Sequence, residues 1–290
     1  MQRPSFLFVH DRGQMCNNVL QYGHLYAWAR ENDCRTISVR FAYKYQYFRL
    51  CHTRWHSFAV YVLAKLAARL HLLPTIDFDV QRQASEAGMD ALLRQHRMAW
   101  VDGWHVHFYD LFDKYIDEIR SLFAFLPEVE QAAQLRMMPW LTREGCLRLG
   151  VHIRRGDYAR FLGGRYYYDD TTMLRVIGEF QKLFPEKKLV VYVCGNDSAL
   201  DEAAYRAALP SVTFVFPHGN PGEDLCVLSH CDYIIGAPST FSLVASMYRD
   251  LPLWWIPSAD ATLTADSFSR FSYLTRQLGT VFTSRPSWKA

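Results

Sequence analysis

Several things are scarce in this sequence, and each scarcity excludes a class of protein. The 290 residues include only seven cysteines, at 16, 34, 51, 146, 194, 226 and 231, with no C-x-x-C pair. An odd count without that spacing argues against a disulfide framework and fits a reducing compartment. No run of about 18 uncharged apolar residues occurs, so no membrane-spanning helix is expected. The nearest approach, Phe58–Leu73, is interrupted by Lys65 and Arg69. The apolar run Phe6–Val9 is too short for a signal-peptide core. The expected location is therefore cytoplasmic. Net charge is only +3, from 32 basic and 29 acidic residues. That balance excludes a nucleic-acid binder with a broad basic face. With 15 glycines and 12 prolines the chain is not collagen-like, and with 50% hydrophobic residues it is not disordered.

What is present reads as a globular protein of about two domains. Residues 1–100 carry 13 basic and 7 acidic groups, residues 101–148 carry 5 and 8, and the remainder 14 and 14. The positive excess lies in the first third. Phe6–Val9 reads as a strand running into Asp11-Arg12-Gly13, and Asn17–Arg30 has helical spacing. Ile37–Phe41 reads as a strand and Phe58–Leu73 as an amphipathic helix ended by Pro74. Residues 74–140 give a weaker pattern, with helices expected near Gly88–Met98 and Asp110–Leu126.

From 147 the pattern is regular. Strands are expected at Leu147–Ile153, Leu189–Cys194, Val212–Phe216, Tyr233–Gly236 and Leu253–Ile256. Helices are expected at Thr172–Phe184, Leu200–Leu209, Pro221–Cys231 and from Pro238-Ser239-Thr240 through Tyr248. Alternation of this kind implies parallel βαβ units. The expected boundaries are an N-terminal α/β domain over 1–145, a second Rossmann-like domain over 146–260, and a C-terminal segment, 261–290, packing back on the first.

Three loops at strand ends concentrate polar chemistry. In the first, His152-Ile153-Arg154-Arg155-Gly156-Asp157, alternation puts His152 and Arg154 on one face. A guanidinium there suits phosphate, which it can grip in bidentate fashion. The competing reading is a structural ion pair of Arg154 or Arg155 with Asp157. The second loop, Gly195-Asn196-Asp197-Ser198, offers Asp197 to a base or ribose, or else as a helix cap. The third, Ala237-Pro238-Ser239-Thr240-Phe241-Ser242, puts hydroxyls and N–H groups at a helix N-terminus, where anions bind. Together they suggest a nucleotide with a diphosphate.

HIRRGDY, the Asn-Asp loop and Asp232–Ser242 resemble the three C-terminal motifs of the α1,2-, α1,6- and protein O-fucosyltransferase superfamily. The nearest member is glycosyltransferase family 11, the α1,2-fucosyltransferases of bacterial type. Gly13-Gln14-Met15-Cys16-Asn17-Asn18-Val19-Leu20-Gln21-Tyr22 is similar to that family's N-terminal Gly-x-x-Gly-Asn-Gln-x-x-Gln-Tyr, with Cys16 in place of its second glycine. Asn196 stands where a paired aspartate is common. The resemblance runs in ordered blocks from about 13 to 256.

The resemblance implies a GT-B-like α/β fold, two Rossmann-type domains facing a cleft. It implies an inverting transferase moving fucose from GDP-fucose to a glycan hydroxyl in α1,2 linkage, with GDP-fucose as donor substrate and no metal cofactor. By motif, Arg154 would hold the β-phosphate, with Arg155 and Asp157 beside it. His152 and Asp197 would contact guanine or ribose. Ser239, Thr240 and Ser242 would line the diphosphate site, and Gly13 and Asn17 would sit across the cleft. The acceptor base is open between His10 and Asp11, which end the first strand; the alternative pairs Asp11 with Arg12 and needs no base. Two other functions stay open: a transferase of another nucleotide sugar, and a non-catalytic nucleotide- or carbohydrate-binding protein.

Four further features stand outside these motifs. Asp77-Phe78-Asp79 is a D-x-D, but with 19 aspartates about one such triplet arises by chance. His52 and His56 have the i, i+4 spacing of zinc ligands without an accompanying glutamate. Tyr166-Tyr167-Tyr168 would be placed to cover a donor. Lys44–Arg69, basic and amphipathic, is either a solvated helix face or a peripheral contact with an anionic inner membrane and a lipid-linked oligosaccharide acceptor.

Overall fold

The computed structural model describes residues 5–10, 12–80, 85–197 and 199–283. The chain forms two compact units, Met1–Leu126 and Pro127–Ala290.

The first unit runs β1 (Phe6–His10), α1 (Met15–Glu31), β2 (Arg35–Ser38), α2 (Phe58–Arg69), β3 (Thr75–Asp77), α3 (Glu86–Leu93), β4 (Met98–Asp102), α4 (Tyr109–Lys114) and α5 (Ile116–Leu122). Its sheet is parallel, in the order β2-β1-β4-β3. The strand order reverses between the parallel neighbours β1 and β4, where His10 pairs in register with Asp102.

The main differences in secondary structure from the sequence reading lie in this unit's middle. The stretch 74–140 supplies two of the four strands. Gly88–Met98 is not one helix: Ser85 caps α3 by accepting from Gly88 N–H at 3.2 Å, and Met98 opens β4. Asp110–Leu126 breaks at Tyr115, whose φ of −106° separates α4 from α5. α2 stops at Arg69, and the chain turns through His71 at φ 56°.

The second unit runs α6 (Pro127–Met137), β5 (Cys146–Ile153), α7 (Asp170–Leu183), β6 (Lys188–Gly195), α8 (Glu202–Ala208), β7 (Thr213–Val215), α9 (Pro221–Ser229), β8 (Tyr233–Gly236), α10 (Thr240–Met247), β9 (Leu253–Trp255) and α11 (Phe271–Thr283). The parallel sheet has the order β7-β6-β5-β8-β9. In units of this strand order, ligands bind beyond the carboxyl ends where the order reverses. Here that point lies between β5 and β8. Leu149, Val151, Val190, Val191, Ile234 and Ile235 are fully buried, the continuous apolar run of strands covered on both faces.

The division falls earlier than the expected boundary at 145. α6 packs on α9, so 127–145 belongs with the second unit. The C-terminal helix α11 also belongs there, packed on α10.

Candidate active site

At the carboxyl edge of the second sheet the three polar loops meet. β5 and β8 run in register up to His152 opposite Gly236. Tyr158 then ties the first loop to the third, its hydroxyl donating to Pro238 O at 2.6 Å. The His152 ring stacks on Phe241, with centroids 4.8 Å apart and planes at 19°. Asn196 ties in the second loop by accepting from Arg155 N–H at 2.9 Å. Gly156 turns the first loop at φ +58°, and a Cβ there would lie 3.0 Å from Asn196 Nδ2.

The two adjacent arginines have different tasks. Arg155 is buried, and its donors are committed to the protein: Nε to Tyr168 O at 3.2 Å, Nη1 to Asp197 at 2.7 Å and Nη2 to Asp170 at 2.5 Å. Burial works against its charge, but the Asp170 and Asp197 carboxylates more than offset this and raise its pKa. Arg155 therefore fixes the loop; the expected ligand contact is corrected to a structural one. Among the described residues Arg154 pairs only with Asp157, at 2.9 Å, and that carboxylate is 63% exposed. An incoming phosphate can displace so wet a partner. The Arg154 guanidinium also lies over the Tyr158 ring at 5.4 Å.

His152 is buried and its Nδ1 has no hydrogen-bond partner among the described residues. Burial, and then the neighbouring Arg154 charge, push its pKa down to about 3. It is a neutral imidazole with an unspent polar atom beside the guanidinium. Ser239 caps α10, accepting from Phe241 N–H at 3.1 Å, and Thr240 is the first helical residue. Ser242 does not line the edge. It is wholly buried; its hydroxyl donates to Ser239 O at 3.1 Å and accepts from Trp255 Nε1 at 3.0 Å. Its spacing from Ser239 puts it one helical turn inside, where both its bonding roles are used.

Beside these loops is a cavity of about 470 Å³, within the range of about 300–1,000 Å³ usual for small-molecule sites. Ile153, Val193 and Phe216 give it apolar walls, and Asn196, Asp197 and Asp224 its polar groups. Asp197 spends one oxygen on Arg155 and the other on Ala199 N–H at 2.9 Å; those two contacts hold its carboxyl below the ordinary range. Asp224 is the residue the sequence reading missed. It is buried and accepts from Gly219 N–H at 3.1 Å. Burial raises its carboxyl to about 7, against the opposing pull of that N–H and of Arg136. In sequence it looks like one more acid in a helix's first turn, where the dipole favours any carboxylate. Glu223 fills the capping box with Asn220, which leaves Asp224 to face inward.

The tyrosine cluster is not a cover. Tyr166 and Tyr168 are core residues, with hydroxyls on Val281 O at 3.0 Å and Ile256 O at 2.7 Å. Tyr167 alone of the three is exposed.

The first unit carries its own charged group at the carboxyl edge of its sheet. Arg12 donates to Asp102 at 2.8 Å, Asp79 at 2.7 Å and Asp77 at 3.1 Å. The D-x-D aspartates thus share the Arg12 guanidinium as their cation. The alternative pairing of Arg12 with Asp11 falls on Asp11, which lies outside the described residues. His10 Nδ1 lies 3.3 Å from Asp102 Oδ2, and its ring packs on Trp100 with centroids 5.1 Å apart. Burial raises the Asp102 carboxyl, but His10 and Arg12 outweigh it and bring it down to about 2. Gly13 turns at φ +83°, and a Cβ there would come within 2.3 Å of Asn17 Nδ2. Cys16 is buried in the first turn of α1, where no glycine is required. Asn17 and Gly13 belong to this unit.

The structure gives His56 another task than zinc ligation with His52. His56 accepts from Ser38 N–H through Nε2 at 3.1 Å and bonds Thr53 Oγ1 through Nδ1 at 2.7 Å, so both ring nitrogens are used. Among the described residues one group has metal-ligand spacing, Glu130, Cys226 and His230. Glu130 bonds His230 Nε2 at 2.6 Å and accepts from Cys226 Sγ at 3.3 Å, joining α6 to the C-terminal end of α9. Helix α9 runs antiparallel to the strands, so this group lies toward their amino ends, opposite the polar loops.

Solved structures share this architecture. An Arabidopsis thaliana FUT1 mutant in complex with GDP matches over 92% of this chain and 73% of its own, with TM-score 0.59 and 12% identity. POFUT1 in complex with GDP matches over 87% of this chain and 96% of its own, with TM-score 0.56 and 11% identity. The fucosyltransferase NodZ from Bradyrhizobium matches over 88% and 96%, with TM-score 0.56 and 14% identity. The chain has the GT-B-like fold of these fucosyltransferases. Its sequence matches no family model and no curated protein. No helix among the described residues is long and apolar enough to cross a membrane.

Proposed function

We propose that the protein transfers fucose from GDP-fucose to a glycan hydroxyl, inverting the anomeric carbon, with an α1,2 linkage implied by the motif resemblance. The observation that carries this reading is Arg154, held on a loop at the sheet's switch point with, among the described residues, only an exposed carboxylate as ion-pair partner. The acceptor oxygen forms its bond to the sugar's anomeric carbon as the bond to the β-phosphate oxygen breaks, and GDP leaves. Negative charge grows on that phosphate. Arg154 and the N-terminus of α10 meet it with fixed charge and dipole. Asp224 is assigned to guanine, the base whose ring N–H and amine form a donor pair that a carboxylate can accept.

The fold of the GDP-bound neighbours supports the donor class. NodZ has also been soaked with GDP-fucose. The test is a transfer assay with GDP-fucose and GDP-mannose against galactoside acceptors. Turnover with GDP-fucose and not GDP-mannose supports the reading; turnover only with another nucleotide sugar overturns it. Activity is expected to be unchanged by chelator, because protein groups supply the charge stabilisation. A loss restored by added metal would contradict that part.

For the acceptor proton the candidates are His10 and Asp11. His10 ends β1 with its Nδ1 3.3 Å from the Asp102 carboxylate. Loss of a general base costs about 10²- to 10⁴-fold in rate. His10→Gln is expected to lose this much turnover while keeping GDP affinity, and Asp11→Asn is the parallel variant. If both keep wild-type turnover, the hydroxyl loses its proton late, without a dedicated base.

A further inference from the structure

We propose that helix α2 docks the first unit on an anionic lipid bilayer, lying in the plane of its surface. The helix is inside out for a globular protein. Its packed face is made of small residues: Ala64, with Ala67, Ala68 and Tyr61, meets Val39 and Trp100. Its large apolar side chains face water. Phe58 is 62% exposed, Leu63 65%, Leu66 51% and Leu70 58%, with Val62 among them. At about 100° per residue these five span about 140° of one side, opposite Ala64. An amphipathic helix folded against a core ordinarily turns such side chains inward.

Charge identifies the occupant. Between Asp33 and Asp77 the chain has seven arginines and lysines and no acidic residue. Lys65 borders the apolar stripe on one side and Arg69 lies just inside that same edge, and both are exposed. Just before the helix, Trp55 is 44% exposed with Arg54 over its ring at 5.2 Å. Just after it, Leu72 is 72% exposed. Among the described residues, none of Arg54, Lys65 and Arg69 pairs with a carboxylate. A second copy brought to this face would set like charge against like charge. An anionic lipid surface supplies both what the stripe lacks and what the basic border attracts: apolar chains below, negative headgroups around. Trp55 at the rim suits the headgroup level. The twelve residues of α2 reach only about 18 Å, so the helix lies on the membrane and does not cross it.

This inference rests on the first unit alone and is independent of the donor assignment. The full chain is sedimented with vesicles of phosphatidylcholine, and with vesicles of phosphatidylcholine mixed with phosphatidylglycerol. Binding to the mixed vesicles, weakened by salt and weak on the neutral ones, is expected. Leu63→Glu with Leu66→Glu should abolish it. Lys65→Glu with Arg69→Glu should cut partitioning by roughly tenfold or more. Both double variants alter exposed side chains and should keep the wild-type melting temperature and GDP affinity. The proposal is overturned if neither vesicle binds, or if the Leu63→Glu, Leu66→Glu variant binds as well as wild type. It is also overturned if lipid-free wild type is a dimer that this variant makes monomeric, since the stripe is then a protein interface.

Discussion

Alanine in place of Arg154 is expected to weaken GDP binding by about 10- to 100-fold, the worth of a charge-assisted hydrogen bond of about 1.5–3 kcal/mol. Transfer should fall further, by at least roughly 10³, because the charge on the leaving phosphate is greatest in the transition state. Lysine should restore little, since it cannot offer two parallel N–H groups. The control is next door. Arg155→Ala strands Asp170 and Asp197 without their shared cation and should cost about 3–5 kcal/mol of stability. Arg154→Ala gives up the pair with exposed Asp157 and the contact over the Tyr158 ring, a loss of about 1–2 kcal/mol. Titration with GDP and a thermal melt on each variant separate the roles. Unchanged GDP affinity in Arg154→Ala would remove the phosphate assignment.

Asparagine in place of Asp224 is expected to make the protein more stable and a poorer GDP binder. The Asp224 carboxyl titrates at about 7 in the folded chain and near 3.9 when unfolded. Between those values the folded state holds one more proton than the unfolded state. Stability therefore declines as pH rises from about 4 to about 7, and the full penalty stands above 7. Asparagine keeps an acceptor for Gly219 N–H and has no charge to bury. Its advantage should be absent below about pH 4 and reach roughly 2–4 kcal/mol above pH 7. GDP binding follows the opposite sign. Guanine needs the ionised carboxylate, so wild-type affinity should drop about tenfold per unit below pH 7. The nucleotide's own phosphate titrates near 6, and that part of the profile should remain in Asp224→Asn. A wild-type profile that matches the variant's would contradict the guanine assignment.

How much of this was legible depended on what each residue packs against. The second unit's strands are buried on both faces, so they appear as plain apolar runs such as Leu189–Cys194. Their loops punctuate them with glycine and charge. The first unit hides its third strand in three residues, Thr75–Asp77, and its fourth among aromatics. With those strands unread, the acids that close around Arg12 could not be seen as neighbours of residues some 65–90 positions away. Within the site, the motif found Arg154, His152 and Ser239, because strand-end position and side-chain type already agree there. It could not separate Arg154 from Arg155, or Ser239 from Ser242. That sorting depends on which partner each side chain finds across the sheet: Asp197 for Arg155, Trp255 for Ser242. Periodicity found α2 but not which face it buries, since its alanines and its leucines are both apolar.

The central claim is that the second unit holds a guanine nucleotide through Arg154 and Asp224. Isothermal titration with GDP in the absence of metal, followed by GDP-fucose and GDP-mannose, tests it most directly. The account predicts micromolar GDP binding with a preference for GDP-fucose, weakened by Arg154→Ala and by Asp224→Asn. No binding of guanine nucleotide, or binding of UDP equal to that of GDP, would contradict it.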